Sequence, residues 1–295
     1  MQAGKASRTA YQNALFRALE ARRPETDRVA DDPLAVRFLT PEFRLLAGLA
    51  RISPARRLTE EFIDHRWPCV RPGVVARTRL IDETVAAEIT RVSQVLFLGA
   101  GFDSRAYRLT GMRDVTVFEV DHPATQAAKR RALQRSPRES GPHAAERVRF
   151  VPVVFGTDDP ARELAAAGFA AGEQTLVLWE GTTNYLDAPA VDATLRFLAS
   201  VLGPGSPLIL TYVDQAMIDG SAVFAGAETT MRAVRRVGEP FTFGLAPVEV
   251  AGYLGARGFS LEWDVTLSQA AARFYPAGHC PAAPAYYHVA ASRRA

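Results

Sequence analysis

The sequence predicts an α/β protein: a Rossmann-like, seven-stranded, mostly parallel sheet with its last strand antiparallel, preceded by an N-terminal helical cap. Three observations carry that prediction. Residues 94–101, QVLFLGAG, form an apolar strand that runs into a glycine turn, as at the first strand of nucleotide-binding sheets. From residue 94 onward, strand-like segments alternate with helical ones, the order that builds a parallel sheet. The last two strands are joined by residues 266–285, which hold three prolines and no convincing helix, whereas a parallel return ordinarily needs a crossover helix.

Taken in order, residues 1–90 read as the cap, with helical patterns over 9–22, 33–39, 58–64 and 74–89. Residues 91–295 read as the sheet domain. Its strands are expected at 94–98, 115–121, 148–154, 175–180, 207–213, 259–265 and 286–291, and its helices include 125–134, 160–167, 189–202 and 247–257. An insertion, 215–244, follows the fifth strand. In it Val223, Phe224, Met231, Val234 and Val237 recur roughly as one helical face, which is expected to wall a pocket.

The totals exclude several classes. With 48% hydrophobic and 23% charged residues in 295, the chain reads as a soluble globular protein able to bury a large core. No apolar run approaches the roughly 18 residues that a membrane span needs, and the N-terminus lacks the apolar core of a secretory signal. A cytoplasmic protein without a membrane partner is expected. The net charge of +3 is spread along the chain, its densest group being Lys129, Arg130 and Arg131 on a helix, so nucleic acid is not expected either. Cys69 and Cys280 have no metal-ligand spacing around them.

The glycine turn is the first candidate site. Gly99 and Gly101 let the backbone bend tightly and approach a ligand, but Asp103 follows, and a carboxylate there repels a phosphate. A nucleoside cofactor that carries a cation and no phosphate suits such a turn, and S-adenosyl-L-methionine is a molecule of that kind. The second strand ends in Glu119 and Asp121, about 20 residues past the glycines, where a carboxylate accepts bonds from ribose hydroxyls. Glu180 ends the fourth strand at the sheet's carboxyl edge, placed for the cofactor's ammonium or sulfonium, and Tyr185 follows within a turn. Upstream, Arg77 or Arg79 is placed to pair with the cofactor carboxylate; spacing alone does not choose between them.

The segments ARTRLID, FLGAGFDSRAYRL, FEVDHP and WEGTTNYL, in this order and spacing, resemble the leucine carboxyl methyltransferase family of class I S-adenosylmethionine-dependent methyltransferases, including its bacterial members. SRTA and DDPLAVRFL near the start resemble the same bacterial relatives, and the similarity covers nearly the whole chain. The resemblance implies that Arg77 holds the cofactor carboxylate, Gly99 opens the cofactor turn, Asp121 meets the ribose, Glu180 lies against the cofactor and Tyr185 stands beside it. One position departs. Where relatives usually carry Asp-Leu, with the Asp bonded to the adenine amino group, this chain reads Val154-Phe155, leaving backbone groups to frame the adenine and Asp158 or Asp159 as substitutes. The missing bond is worth about 1 kcal/mol.

Methyl transfer from a sulfonium is an in-line displacement, so alignment and exclusion of water are the main tasks. A carboxylate acceptor, with a pKa of about 4, arrives ionised and needs no base; a phenol, at about 10, profits from one. His65, His122, His279 and His288 are base candidates by residue type, His65 first because it belongs to the cap. The expected function is O-methylation of a small-molecule carboxylate, with a phenol or other hydroxyl as the alternative acceptor. A nicotinamide oxidoreductase is opposed by Asp103, and a cofactor-binding protein without activity is the reading from outside enzymology.

Overall fold

The computed structural model describes residues 7–135, 147–154, 158–276 and 280–295. Seven strands form one sheet: β1 (Gln94–Leu98), β2 (Thr116–Asp121), β3 (Val148–Pro152), β4 (Thr175–Trp179), β5 (Pro207–Val213), β6 (Phe259–Thr266) and β7 (Tyr287–Arg294), in the order β3-β2-β1-β4-β5-β7-β6. β1 to β5 pair in parallel, and β7 runs antiparallel to both β5 and β6. β1, β4 and β5 are buried at every position, which is why they read as unbroken apolar runs rather than alternating ones.

The strand order sets the position of the site. From β1 the chain winds outward through β2 and β3, then returns to place β4 on the other side of β1. The connections on either side of that reversal part at the carboxyl ends of β1 and β4, leaving the crevice in which open α/β sheets take their ligands.

Four helices precede the sheet: α1 (Arg8–Glu20), α2 (Pro41–Leu49), α3 (Ser53–Arg66) and α4 (Val70–Glu88). The pattern at 33–39 condenses to one 3-10 turn, Ala35–Phe38, and α2 was not anticipated. α4 shares a core with the sheet, since Ala76, Leu80, Ile81 and Val85 pack with Val95, Phe97 and Leu178. The first three helices gather round a separate cluster of Leu15, Phe16, Leu19, Phe38 and Ile63, which touches the sheet domain through Phe102.

Among the described residues the chain continues through α5 (Arg105–Arg108), α6 (Pro123–Gln134), α7 (Pro160–Ala166), α8 (Ala188–Val201), α9 (Gln215–Asp219), α10 (Ala227–Arg236), α11 (Val250–Gly255) and α12 (Leu267–Phe274). α12 corrects the sequence reading of residues 266–285 as helix-free. A capping box starts it, Thr266 and Gln269 each bonding the other's backbone N–H, and Leu267, Ala270 and Ala271 are buried against the core. At two turns it is too short to carry the chain back for a parallel strand, so the antiparallel β7 holds although the premise does not.

Candidate active site

The crevice contains a cavity of about 560 Å³, lined by the glycine turn, the ends of β2 and β4, α1, and the segment after α10. Gly99 and Gly101 both take positive φ, +69° and +45°. The N–H groups of Gly99 and Ala100 donate to the Val120 carbonyl at 2.9 and 3.1 Å, tying the turn to β2. A Cβ on Gly99 would collide with the Thr182 side chain, so this glycine is required twice, by conformation and by space. On Gly101 a Cβ would meet nothing nearer than 3.8 Å and would project toward Ala10 of α1, into the room that a ligand needs.

Asp121 fastens the same turn. Its carboxylate accepts from the Gly101 N–H and, at 2.6 Å, from the His122 N–H. Burial raises its pKa and these two bonds oppose the rise. Each oxygen keeps a lone pair for a ribose hydroxyl.

Asp103 does not stand free beside the turn. Its two oxygens accept from the Arg105 backbone N–H at 2.8 Å and the Arg105 Nη1 at 2.5 Å. Arg105, only 3% exposed, also reaches Asp82 at 2.7 Å and Glu180 at 2.6 Å. Glu180 in turn contacts Arg77 Nε at 2.6 Å. Despite burial, the two guanidinium groups hold the Glu180 carboxyl down to about 2. Arg77 stacks on the Tyr287 ring, 5.3 Å from its centroid, and is one of the two arginines among the described residues that line the cavity. Arg79 is half exposed, is paired with Glu83 at 2.7 Å and is not among the described residues that line the cavity, whereas Arg77 is.

The far wall joins the two ends of the chain. Ser7, Thr9, Ala10, Asn13 and Arg17 present one side of α1 to the cavity, opposite Tyr185, Gly238, Glu239, Pro240 and Thr242. Glu239 caps α1 from about 230 residues away. It accepts from Thr9 Oγ1 at 2.5 Å, Ser7 Oγ at 3.2 Å, and the Arg8 and Thr9 N–H groups at 3.3 Å. The insertion thus lines the cavity through the turn after α10. Phe224, Met231 and Val234 pack on the core instead, and Val223 is exposed.

Tyr185 lines the cavity and stacks edge-on against Phe241 at 5.3 Å; burial, then the neighbouring Tyr287, push its phenol above the usual range. His65 is a correction. It is exposed on α3 and is not among the residues that line the cavity, because the buried face of α3 is carried by Thr59, Glu60 and Ile63. His122 lines the cavity but its Nδ1 accepts the Ala124 N–H at 3.2 Å, capping α6. His288 is packed inside β7, stacked on Tyr212 and bonded to Asp264 at 3.1 Å. His279 and Phe155 lie outside the described residues. Val154 lines the cavity, its N–H bonded to Asp158 at 2.7 Å, while Asp159 is committed to capping α7.

Arg105, Asp82, Arg17 and Glu239 were not singled out from the sequence. For Arg105 a signal existed in the arginine that follows Asp103 by two residues, but its other carboxylates lie 23 and 75 residues away.

A model of the leucine carboxyl methyltransferase family matches residues 10–199, spanning α1, the glycine turn, Glu180 and α8. The chain belongs to the leucine carboxyl methyltransferase family. Within it, a protein of Frankia alni named as a candidate S-adenosyl-L-methionine-dependent methyltransferase is 34% identical over 212 residues, covering 72% of this chain and 70% of the relative. A Streptomyces coelicolor relative of the same designation is 32% identical and covers 92% of this chain and 89% of its own. For a third, from Mycolicibacterium gilvum, the match at 36% identity spans 65% of that protein, just under two thirds of its length. The crystal structure of a candidate methyltransferase from Thermobifida fusca superposes with a TM-score of 0.57 over 99% of this chain and 96% of that one; at 15% identity it shows the fold alone.

The donor for which these relatives are named fits the family member's cavity. The lining carboxylates Asp103, Asp121, Glu180 and Glu239 outnumber the lining arginines, Arg17 and Arg77, which suits a cation and opposes a diphosphate.

Arg105 is the residue whose loss the fold should feel most. Arg105→Met takes a partner from each of three partly buried carboxylates, Asp82, Asp103 and Glu180, and urea unfolding should show a loss of about 3 kcal/mol. Glu180 should leave a mark in acid. Its folded pKa lies below the unfolded value, so its stabilising share is complete above about pH 4.3 and is lost as pH falls toward about 2. Thermal scans across that window should show a shallower decline for Glu180→Gln than for the wild type.

Proposed function

We propose that this chain is an S-adenosyl-L-methionine-dependent O-methyltransferase whose acceptor is a small molecule presenting a carboxylate. Bound at the glycine turn, the cofactor supplies a methyl group on a sulfonium, open to in-line displacement. Arg77 receives the cofactor carboxylate, Glu180 faces its positive end, Asp121 accepts from the ribose, and the Val154 backbone borders the adenine. Asp103 serves through Arg105, since both its oxygens are held by that residue.

One observation supports the carboxylate acceptor above the others: the basic groups on the cavity wall are already committed. His122 caps a helix, Glu239 accepts four hydrogen bonds, Glu180 lies between two arginines, and Asp103 is gripped by Arg105. Among the described residues of the wall, a neutral phenol would find only Asp121 short of full commitment, and that carboxylate already accepts two backbone N–H groups and is assigned here to the ribose. A carboxylate brings its charge with it. Arg17, which lines the cavity and bonds Asp32 and the Phe102 carbonyl, keeps its Nη1 without a hydrogen bond to a described residue and is the cation left to meet an acid.

A hydroxyl acceptor is the second reading, favoured by the polar groups that converge on the far wall: Ser7, Thr9, Asn13, Tyr185 and Thr242. Incubation with paired acids and phenols, followed by mass spectrometry, separates the two. Methyl esters that hydrolyse in mild base are the expected products; base-stable ethers alone would reject the carboxylate. For the donor site, Arg77→Met should weaken S-adenosyl-L-methionine binding by about tenfold or more, the worth of a charge-assisted pair. Arg79→Met should leave calorimetric affinity unchanged.

A further inference from the structure

The cap carries a surface that the cavity does not use. α2 and α3, joined by residues 50–52, expose Leu45, Leu49, Ile52, Leu58 and Phe62 at 50–68%. The four-residue spacing of Leu45 with Leu49, and of Leu58 with Phe62, sets each pair in one stripe along its helix. The opposite sides of these helices are filled, with Ala47, Ala50 and Ile63 buried among Phe16, Leu19 and Phe38. Five large apolar side chains on one hairpin exceed the scattered exposure of an ordinary surface.

The charges around these stripes are unbalanced. Arg51, Arg57 and Arg66 are exposed and form no ion pair with a described carboxylate, and Glu42 and Glu61 are the exposed acids on the two helices. Beside them, burial and then repulsion from Arg51 lower the pKa of Arg22. Against a second copy of the chain, a two-fold contact would set this arginine excess against itself. An anionic surface relieves it.

We propose that the α2–α3 hairpin docks on an anionic lipid surface, its leucines and Phe62 entering the acyl boundary while the arginines meet headgroup phosphates. No described helix is long and apolar enough to cross a membrane. Docking in the interface does not need one, because a stripe suffices where a span requires the whole circumference. The sequence-based expectation of no membrane partner rested on span length alone.

Flotation of the full chain with vesicles tests this, using phosphatidylcholine alone and phosphatidylcholine mixed with phosphatidylglycerol. The protein should float with the mixed vesicles only, and raising salt toward about 1 M should release it. Leu58→Ser with Phe62→Ser should cut partitioning by roughly tenfold or more, and Arg51→Gln and Arg57→Gln by about fivefold each. All of these positions are exposed and away from the cavity, so melting temperature and S-adenosylhomocysteine affinity should stay at wild-type values. Three results would overturn the proposal: no flotation with mixed vesicles, equal flotation with phosphatidylcholine alone, or a dimer by light scattering that the Leu58 and Phe62 substitutions split.

Discussion

A continuous chain of buried charge governs the geometry of the crevice. It runs from Arg17 through Asp32, Arg108, Asp82 and Arg105 to Glu180 and Arg77, with Asp103 attached at Arg105. Four arginines meet four carboxylates, so the cluster is formally neutral, and it links α1, α4, the glycine turn and the end of β4. Such a network adds little net stability, since each ion's lost hydration offsets the attraction. What it supplies is position. No member can shift without leaving a charge short of its partner, so the groups that line the cavity are held by Asp32, Asp82, Arg105 and Arg108, which do not line it.

That arrangement also explains how acidic residues can crowd a turn that must accept a carboxylate-bearing ligand. Asp103 and Glu180 are each neutralised from behind by Arg105, and Arg77 shares Glu180 through Nε alone. The Arg77 guanidinium stays positive and belongs to the cavity lining. A lysine in place of Arg105 would offer a point charge where a planar fork reaches Asp82, Asp103 and Glu180.

Much of this was legible in the sequence because it is local. The glycine turn, Asp121 one strand later and Glu180 at the end of β4 follow from spacing and from the rule that ligands gather at the carboxyl edge. Arg105 was hidden although it stands inside the most informative motif, because an arginine declares its partners only when the chain brings α4 and β4 to it. α12 was hidden for a different reason: it is only two turns long and runs into a proline-bearing stretch, so the capping-box signature of Thr266 and Gln269 that opens it was passed over. His65 misled because membership of the cap was taken to mean nearness to the cavity, whereas only α1 among the first three helices reaches it.

The cap of α1 by Glu239 has a consequence for how the molecule is made. A nascent chain emerges with its N-terminus first, and elements fold as they become available. α1 leaves the ribosome early, yet the carboxylate that satisfies its leading N–H groups belongs to a residue synthesised some 230 positions later. Until that moment the crevice has a floor and no closed far side. Completion of the cavity wall is therefore deferred until residue 239 has been made, and a product cut short after Tyr185 would still lack the clasp that Glu239 places on α1.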